Sequence, residues 1–235
     1  MLLNITRDFW LRFKRIPRVI SGTDKYFYIQ ERLNGEKHGT VYGGWTICPD
    51  IIDSDSVVYS FGIGKDISFD LSIIAKYGVT VHAFDPTPIS LEWLKEQKLP
   101  KNLHYYPYGI ANYDGIAKFA PPKRSGFTSF SMSDQADQPN IELPVHRLST
   151  IMQKLNHSRI DILKMDIEGA EYDVIADILT NFDSVKISQI LVEFHYGDQQ
   201  ALQKVKDSIV LLNCSGYRTF DVSAGGREFS FLLKE

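Results

Sequence analysis

Cysteine is scarce in this chain. Cys48 and Cys214 are the only two in 235 residues, too far apart to suggest a disulfide framework or a metal knuckle, and a reducing cytoplasm suits them best. An excess of charge of one sign is also missing. The formal net charge of −3 gives no field that would draw in nucleic acid by charge alone, so a nucleic-acid partner is not expected. No run reaches the roughly 18 apolar residues of a spanning helix, and no internal repeat or low-complexity tract stands out. The apolar start before Arg7 is too short for a secretory signal, and its bases follow rather than precede it. Two further absences concern cofactors. The residue three after Gly64 is Ile67, so the full G-x-G-x-x-G is lacking, and no Tyr-x-x-x-Lys pair occurs. Both weigh against an NAD-dependent nucleotide-sugar oxidoreductase, which stays as an alternative.

What is present is an α/β pattern. A 43% hydrophobic content in this length predicts one larger domain with a full core, over 51–235, preceded by an extension over 1–50 that is partly helical and packs on it. The extension opens on MLLNITRDFWLRFKRIPRV, where Arg7, Arg12, Lys14, Arg15 and Arg18 interleave with Phe9, Trp10, Leu11 and Phe13. This predicts a helix packed on its own domain with solvated charges, the alternative being a weak membrane-surface or partner contact. From Ser56 the chain alternates: strand SVVYSF, helix DISFDLSIIAKYG, strand VTVHAFD, helix ISLEWLKEQ. That rhythm is the mark of a parallel sheet.

LHYYPYGIA and GIAKFAP predict a strand and a hairpin partner around Tyr113-Asp114-Gly115. The polar stretch PPKRSGFTSFSMSDQADQP then reads as a long loop, a candidate lid in which Phe127 covers a ligand while Thr128 and Ser129 bond it. Further on, IELPVHRL, helix STIMQKLN, strand RIDILKM, helix AEYDVIADIL, strand SQILVEFH and a helix from Asp198 to about Asn213 follow one another. The last two strands, YRTFDVS and REFSFLLK, are separated only by Ala224-Gly225-Gly226, which permits a hairpin and forbids a crossover helix. The final strand must therefore run antiparallel in a mostly parallel sheet.

Three strand ends carry chemistry. In SFGIGKD, Gly62 and Gly64 follow a strand and open a helix, so a ligand can approach the backbone closely. Asp85 ends the next strand and is placed to accept hydrogen bonds from ribose hydroxyls. In LKMDIEGAEYDVI, a buried strand discharges into Asp166, Glu168 and Glu171 around a glycine. The macrodipole at a helix start accounts for Glu168 and Glu171 at roughly 0.3–1 kcal/mol each, but not for Asp166.

MDIEGAEYDVI resembles the signature of FkbM-type methyltransferases, LVEFH resembles the Glu-x-His strand that follows it there, and FGIGKDISFD and YGGWTICP are similar to parts of a methyltransferase-like branch of that family. The resemblance spans about residues 40–235. It implies a class I methyltransferase (Rossmann-like) fold with a mostly parallel seven-stranded sheet, S-adenosylmethionine as cofactor, and methylation of a hydroxyl on a sugar, glycan or natural-product acceptor. Gly109 and Ile110 then line the adenine pocket. Ser60 stands where many relatives carry an acid, and Asp66 is the substitute partner for the cofactor's ammonium.

Methyl transfer to a poorly nucleophilic hydroxyl needs a group that removes its proton. His195 is the expected general base, oriented by Asp166 or Glu193, with Glu168 binding acceptor hydroxyls. Asp166, Glu168 and His195 are also acceptable ligands for a divalent ion, a version not favoured. A non-catalytic scaffold that keeps the cofactor pocket is the remaining alternative; four polar groups gathered at one site argue against it.

Overall fold

A computed structural model describes residues 2–121, 130–132, 140–181 and 185–234. In chain order the elements are α1 (Leu2–Ile20), β1 (Glu36–His38), β2 (Trp45–Ile47), a 3-10 turn at Pro49–Ile51, β3 (Val57–Phe61), α2 (Ser68–Tyr77), β4 (Thr80–Phe84), α3 (Pro88–Lys95), β5 (Leu103–Tyr106), β6 (Gly109–Ile110), β7 (Gly115–Ala120), β8 (Ser131–Met132), β9 (Ile141–His146), α4 (Leu148–Leu155), β10 (Arg159–Met165), α5 (Glu171–Asn181), β11 (Lys186–Glu193), α6 (Gln199–Cys214), β12 (Tyr217–Val222) and β13 (Glu228–Leu233).

The central sheet has seven strands in the order β12-β13-β11-β10-β3-β4-β5. β11, β10, β3, β4 and β5 run parallel, whereas β13 is antiparallel to both β11 and β12. This is the class I methyltransferase order. It arises because β3, β4, β10 and β11 are nearly continuous apolar runs that bury both faces, while the short link between Val222 and Glu228 leaves only a hairpin. Helices stop and start where short-range chemistry tells them to: Gly78 closes α2 in the left-handed conformation, and Thr87 and Asp198 cap α3 and α6 through Ser90 and Ala201. On one side Tyr59, Phe61, Phe84, Met165, Phe194 and Phe229 form the main core. Trp45 and Ile47 of β2 join Val58, Phe69 and Leu191 on the other.

Two expectations are corrected. β7 does not pair with the strand before it. The chain leaves the central sheet at Tyr106, and a second, four-stranded sheet forms in the order β6-β9-β7-β8, in which β7 runs antiparallel to β9 and β6 parallel to it. This pairing buries Ala117, Phe119 and Val145 in a cluster of their own, which a local hairpin would leave open.

The other correction concerns α1, which does not simply solvate its charges. Arg15 is 2% exposed, pairs with Asp24 at 3.0 Å and donates to the Lys25 carbonyl at 2.6 Å. Its guanidinium fits because residue 226 is glycine: a Cβ there would lie 2.1 Å from Arg15 Cζ. The aromatics Phe9, Trp10 and Phe13 face out instead.

Candidate functional site

The two loops that matter meet at one backbone contact. Gly62 leaves β3 with φ +74°, and a Cβ on it would stand 1.7 Å from the carbonyl oxygen of Asp166. Glycine is thus required here chiefly by the neighbouring loop, a reason the sequence alone does not reveal. Asp166 extends the ladder one residue beyond β10 by donating its N–H to the Phe61 carbonyl at 3.1 Å. Lys164, 5% exposed, fastens the same junction by donating from Nζ to the carbonyls of Gly62 at 2.9 Å and Phe61 at 3.3 Å. Sequence reasoning missed Lys164; the signal was a lone lysine inside the apolar run RIDILKM.

A cavity of about 450 Å³ opens over these loops, and Gly62, Gly64, Asp66, Asp85, Gly109, Ile110, Asp166 and Glu168 all line it. Asp85 is 5% exposed. Its carboxylate accepts from the Gly64 N–H at 2.9 Å, and from the Thr87 N–H at 2.9 Å and hydroxyl at 2.6 Å. An ionised carboxylate offers about four acceptor positions, so three are filled and the remaining one is open to a ligand. Asp66 is more occupied than expected: Ser68 N–H and the Thr40 hydroxyl bind its two oxygens at 2.7 and 2.8 Å. Burial would raise this carboxyl, but those hydrogen bonds and the charge of Lys164 bring it below the ordinary range. Ser60 is fully buried and lies against Asp70 of α2, whose carboxyl is raised by its own burial. Tyr106 and Tyr108 pack on Phe84, and Tyr105 donates to the Asp85 carbonyl at 2.6 Å, so these tyrosines shape the wall from behind. Phe127, Thr128 and Ser129 lie outside the described residues; Phe130 lines the cavity.

Beside the cavity, behind Asp166 and Glu168, sits His195. Its Nε2 is 3.3 Å from Glu168, 3.8 Å from Asp166 and 3.9 Å from Glu193. Its Nδ1 is bonded to Glu171, which is fully buried. The carboxylate hydrogen-bonded to the imidazole is therefore Glu171, whereas Asp166 and Glu193, the partners the sequence suggested, stand farther from Nε2. Glu171 opens α5 five residues after Asp166, and only the fold brings it to His195, just past β11. Tyr172 fixes the backbone by donating to the His195 carbonyl at 2.8 Å. Glu168 holds a left-handed φ of +54°, a conformation that costs a non-glycine residue roughly 1–3 kcal/mol.

The cluster is crowded with negative charge, and its protons report this. Burial alone would lower the His195 imidazole, but the bond to Glu171 and the charges of Glu171, Glu168 and Asp166 push it up to about 9. Burial, with Asp166 nearby, pushes Glu193 up to about 8. Burial also raises Asp166, against the pull of Lys164 and His195. Both shifts favour the protonated forms of His195 and Glu193. Ligand atoms of Asp166, Glu168 and His195 lie within 4.8 Å of one another, and they are the set among the described residues with metal-binding spacing.

Several known proteins are similar to this chain. The family model described as "Methyltransferase FkbM domain" matches residues 57–219. The human protein "Probable methyltransferase-like protein 24" is 28% identical over 160 residues, covering 64% of this chain and 38% of that protein; its rat counterpart is 27% identical with the same coverage. The chain thus spans well under half the length of these relatives. Among solved structures, the FkbM methyltransferase of Methylobacillus flagellatus KT is similar at TM-score 0.48 and 12% identity, covering 77% of this chain and 44% of that one. The Aeropyrum pernix fibrillarin, solved with natively bound S-adenosyl-L-methionine, is similar at TM-score 0.40 and 12% identity, covering 77% and 66%. With the family model spanning well over half the sequence, the chain belongs to the FkbM methyltransferase family.

Proposed function

We propose that this protein is an S-adenosylmethionine-dependent O-methyltransferase acting on a hydroxyl of a sugar, glycan or natural-product acceptor. The observation that carries the reading is the juxtaposition of a glycine-and-aspartate cavity with an imidazole locked by a buried carboxylate. The cavity fits the cofactor on its own evidence: it is large enough, Gly62 and Gly64 turn with positive φ, and Asp85 keeps an acceptor position free. Asp85 would hold the ribose, Gly109 and Ile110 the adenine, and the Gly62–Gly64 turn and Asp166 the amino-acid end. Bound there, S-adenosylmethionine supplies an electrophilic methyl group.

The chain's own residues do the rest. Glu168 accepts hydrogen bonds from acceptor hydroxyls and aligns one of them at the cavity edge. His195 Nε2, with Nδ1–H held by Glu171, takes the proton as the oxygen becomes a nucleophile. The test is calorimetric: S-adenosylhomocysteine is expected to bind at micromolar or better, NAD not at all, and Asp85→Ala to abolish the binding while remaining folded. Binding of NAD in preference would revive the oxidoreductase reading.

The three-ligand spacing around His195 favours one second reading, a divalent ion that acidifies the acceptor hydroxyl in place of the base. Turnover should survive excess chelator if His195 works as a base, and collapse and return with Mg or Mn if the ion does the work.

A further inference from the structure

Helix α1 is inside out for a surface helix. At about 100° per residue, Phe9, Trp10, Phe13, Ile16, Pro17 and Ile20 fall within one arc of roughly 120°, and Phe9, Trp10, Phe13, Ile16 and Ile20 are 66%, 58%, 54%, 40% and 82% exposed. The protein-facing arc carries bases instead. Arg15 is buried on Asp24, Arg18 reaches Asp24 at 3.3 Å, and Arg7 donates to the Val41 carbonyl at 3.2 Å. The helix is thereby clamped to the domain through its charges, with its apolar side turned to solvent. Phe9 stacks on Phe13 at 6.5 Å and Trp10 meets Phe13 edge-on at 6.0 Å, so the aromatics already form one patch.

The exposed bases show what covers this patch. Arg12 and Lys14 lie on the two borders of the apolar arc, one on each side, and both are exposed. An apolar stripe edged by bases on both sides matches a bilayer surface: the rings enter the headgroup boundary while the long basic side chains extend to lipid phosphates. A protein partner would need an acid placed at each border of the stripe; anionic lipid supplies negative charge everywhere. We infer that α1 is an interfacial helix that docks this domain on an anionic membrane surface. Arg7 ties the helix, through Val41, to the segment that carries Tyr42, which is 93% exposed and lines the cavity.

The test is flotation of the full chain with phosphatidylcholine vesicles, with and without phosphatidylserine. Binding is expected with the anionic lipid, weakening with salt, and Phe9→Ser/Phe13→Ser should lower it at least about tenfold. Arg12→Gln/Lys14→Gln should weaken it too and remove the preference for phosphatidylserine. None of these side chains is in the core, so thermal unfolding should be unchanged and loss of binding is not loss of fold. Three results would overturn the inference: no flotation of the folded protein with phosphatidylserine, flotation indifferent to both double variants, or a solution dimer that Phe9→Ser/Phe13→Ser converts to monomer.

Discussion

Replacing His195 with glutamine should lower kcat/KM by about 10²- to 10⁴-fold, the usual worth of a positioned general base, and leave S-adenosylhomocysteine binding intact. The reason is geometric. His195 stands behind Asp166 and Glu168 and does not itself line the cofactor cavity, so its loss should be felt in proton transfer rather than in cofactor affinity. The accompanying pH profile separates this role from a merely structural one. A base must be neutral to accept a proton, and His195 in the folded protein is pushed up to about 9. Below that value its neutral fraction falls as pH falls, so kcat/KM should climb about tenfold per pH unit from neutrality and level off near pH 9. Glu171→Gln removes the largest opposing influence to burial and should move the whole rise to lower pH. A flat profile between neutrality and pH 9, or a His195→Gln enzyme within tenfold of the parent, would sink the assignment.

The second large effect is on stability. Gly62→Ala should cost about 3 kcal/mol, which for a chain of this size lowers Tm by roughly 6–12 °C. Two contributions add: the left-handed φ of +74°, and a Cβ driven to 1.7 Å from the Asp166 carbonyl, which is backbone and cannot swing aside. Gly169→Ala provides the comparison. Gly169 also has positive φ, at +108°, but a Cβ there meets nothing within 4 Å, so it should show only the conformational cost, about 1–2 kcal/mol. Equal destabilisation of the two variants would mean that the contact between the loops is not what demands glycine at 62.

These residues also show what a sequence can disclose. The strand directions were legible because buried parallel strands are long apolar runs and because the short link before the last strand cannot cross a sheet, which forces β13 to reverse. The cavity residues were legible because they cluster at strand ends next to glycine. Glu171 as the partner of His195 was not, since 24 residues and a strand–helix crossover separate them; the macrodipole offered an adequate local reason for an acid there. Lys164 was hidden by its apolar neighbours, and the second sheet by a hairpin signal at Tyr113-Asp114-Gly115 that longer-range pairing overrides. The outward aromatics of α1 were hidden for a like reason. Interleaved bases and rings define two faces but do not say which is inside, and that was decided by Asp24 and by the space over Gly226.

The most direct test is a crystal structure with S-adenosylhomocysteine. A ribose hydroxyl should lie on Asp85, the adenine against Gly109 and Ile110, and the sulfur on the Asp166 side of the cavity, facing the edge where Glu168 and His195 stand. A ligand seated elsewhere, or one whose sulfur points away from His195, would contradict the account.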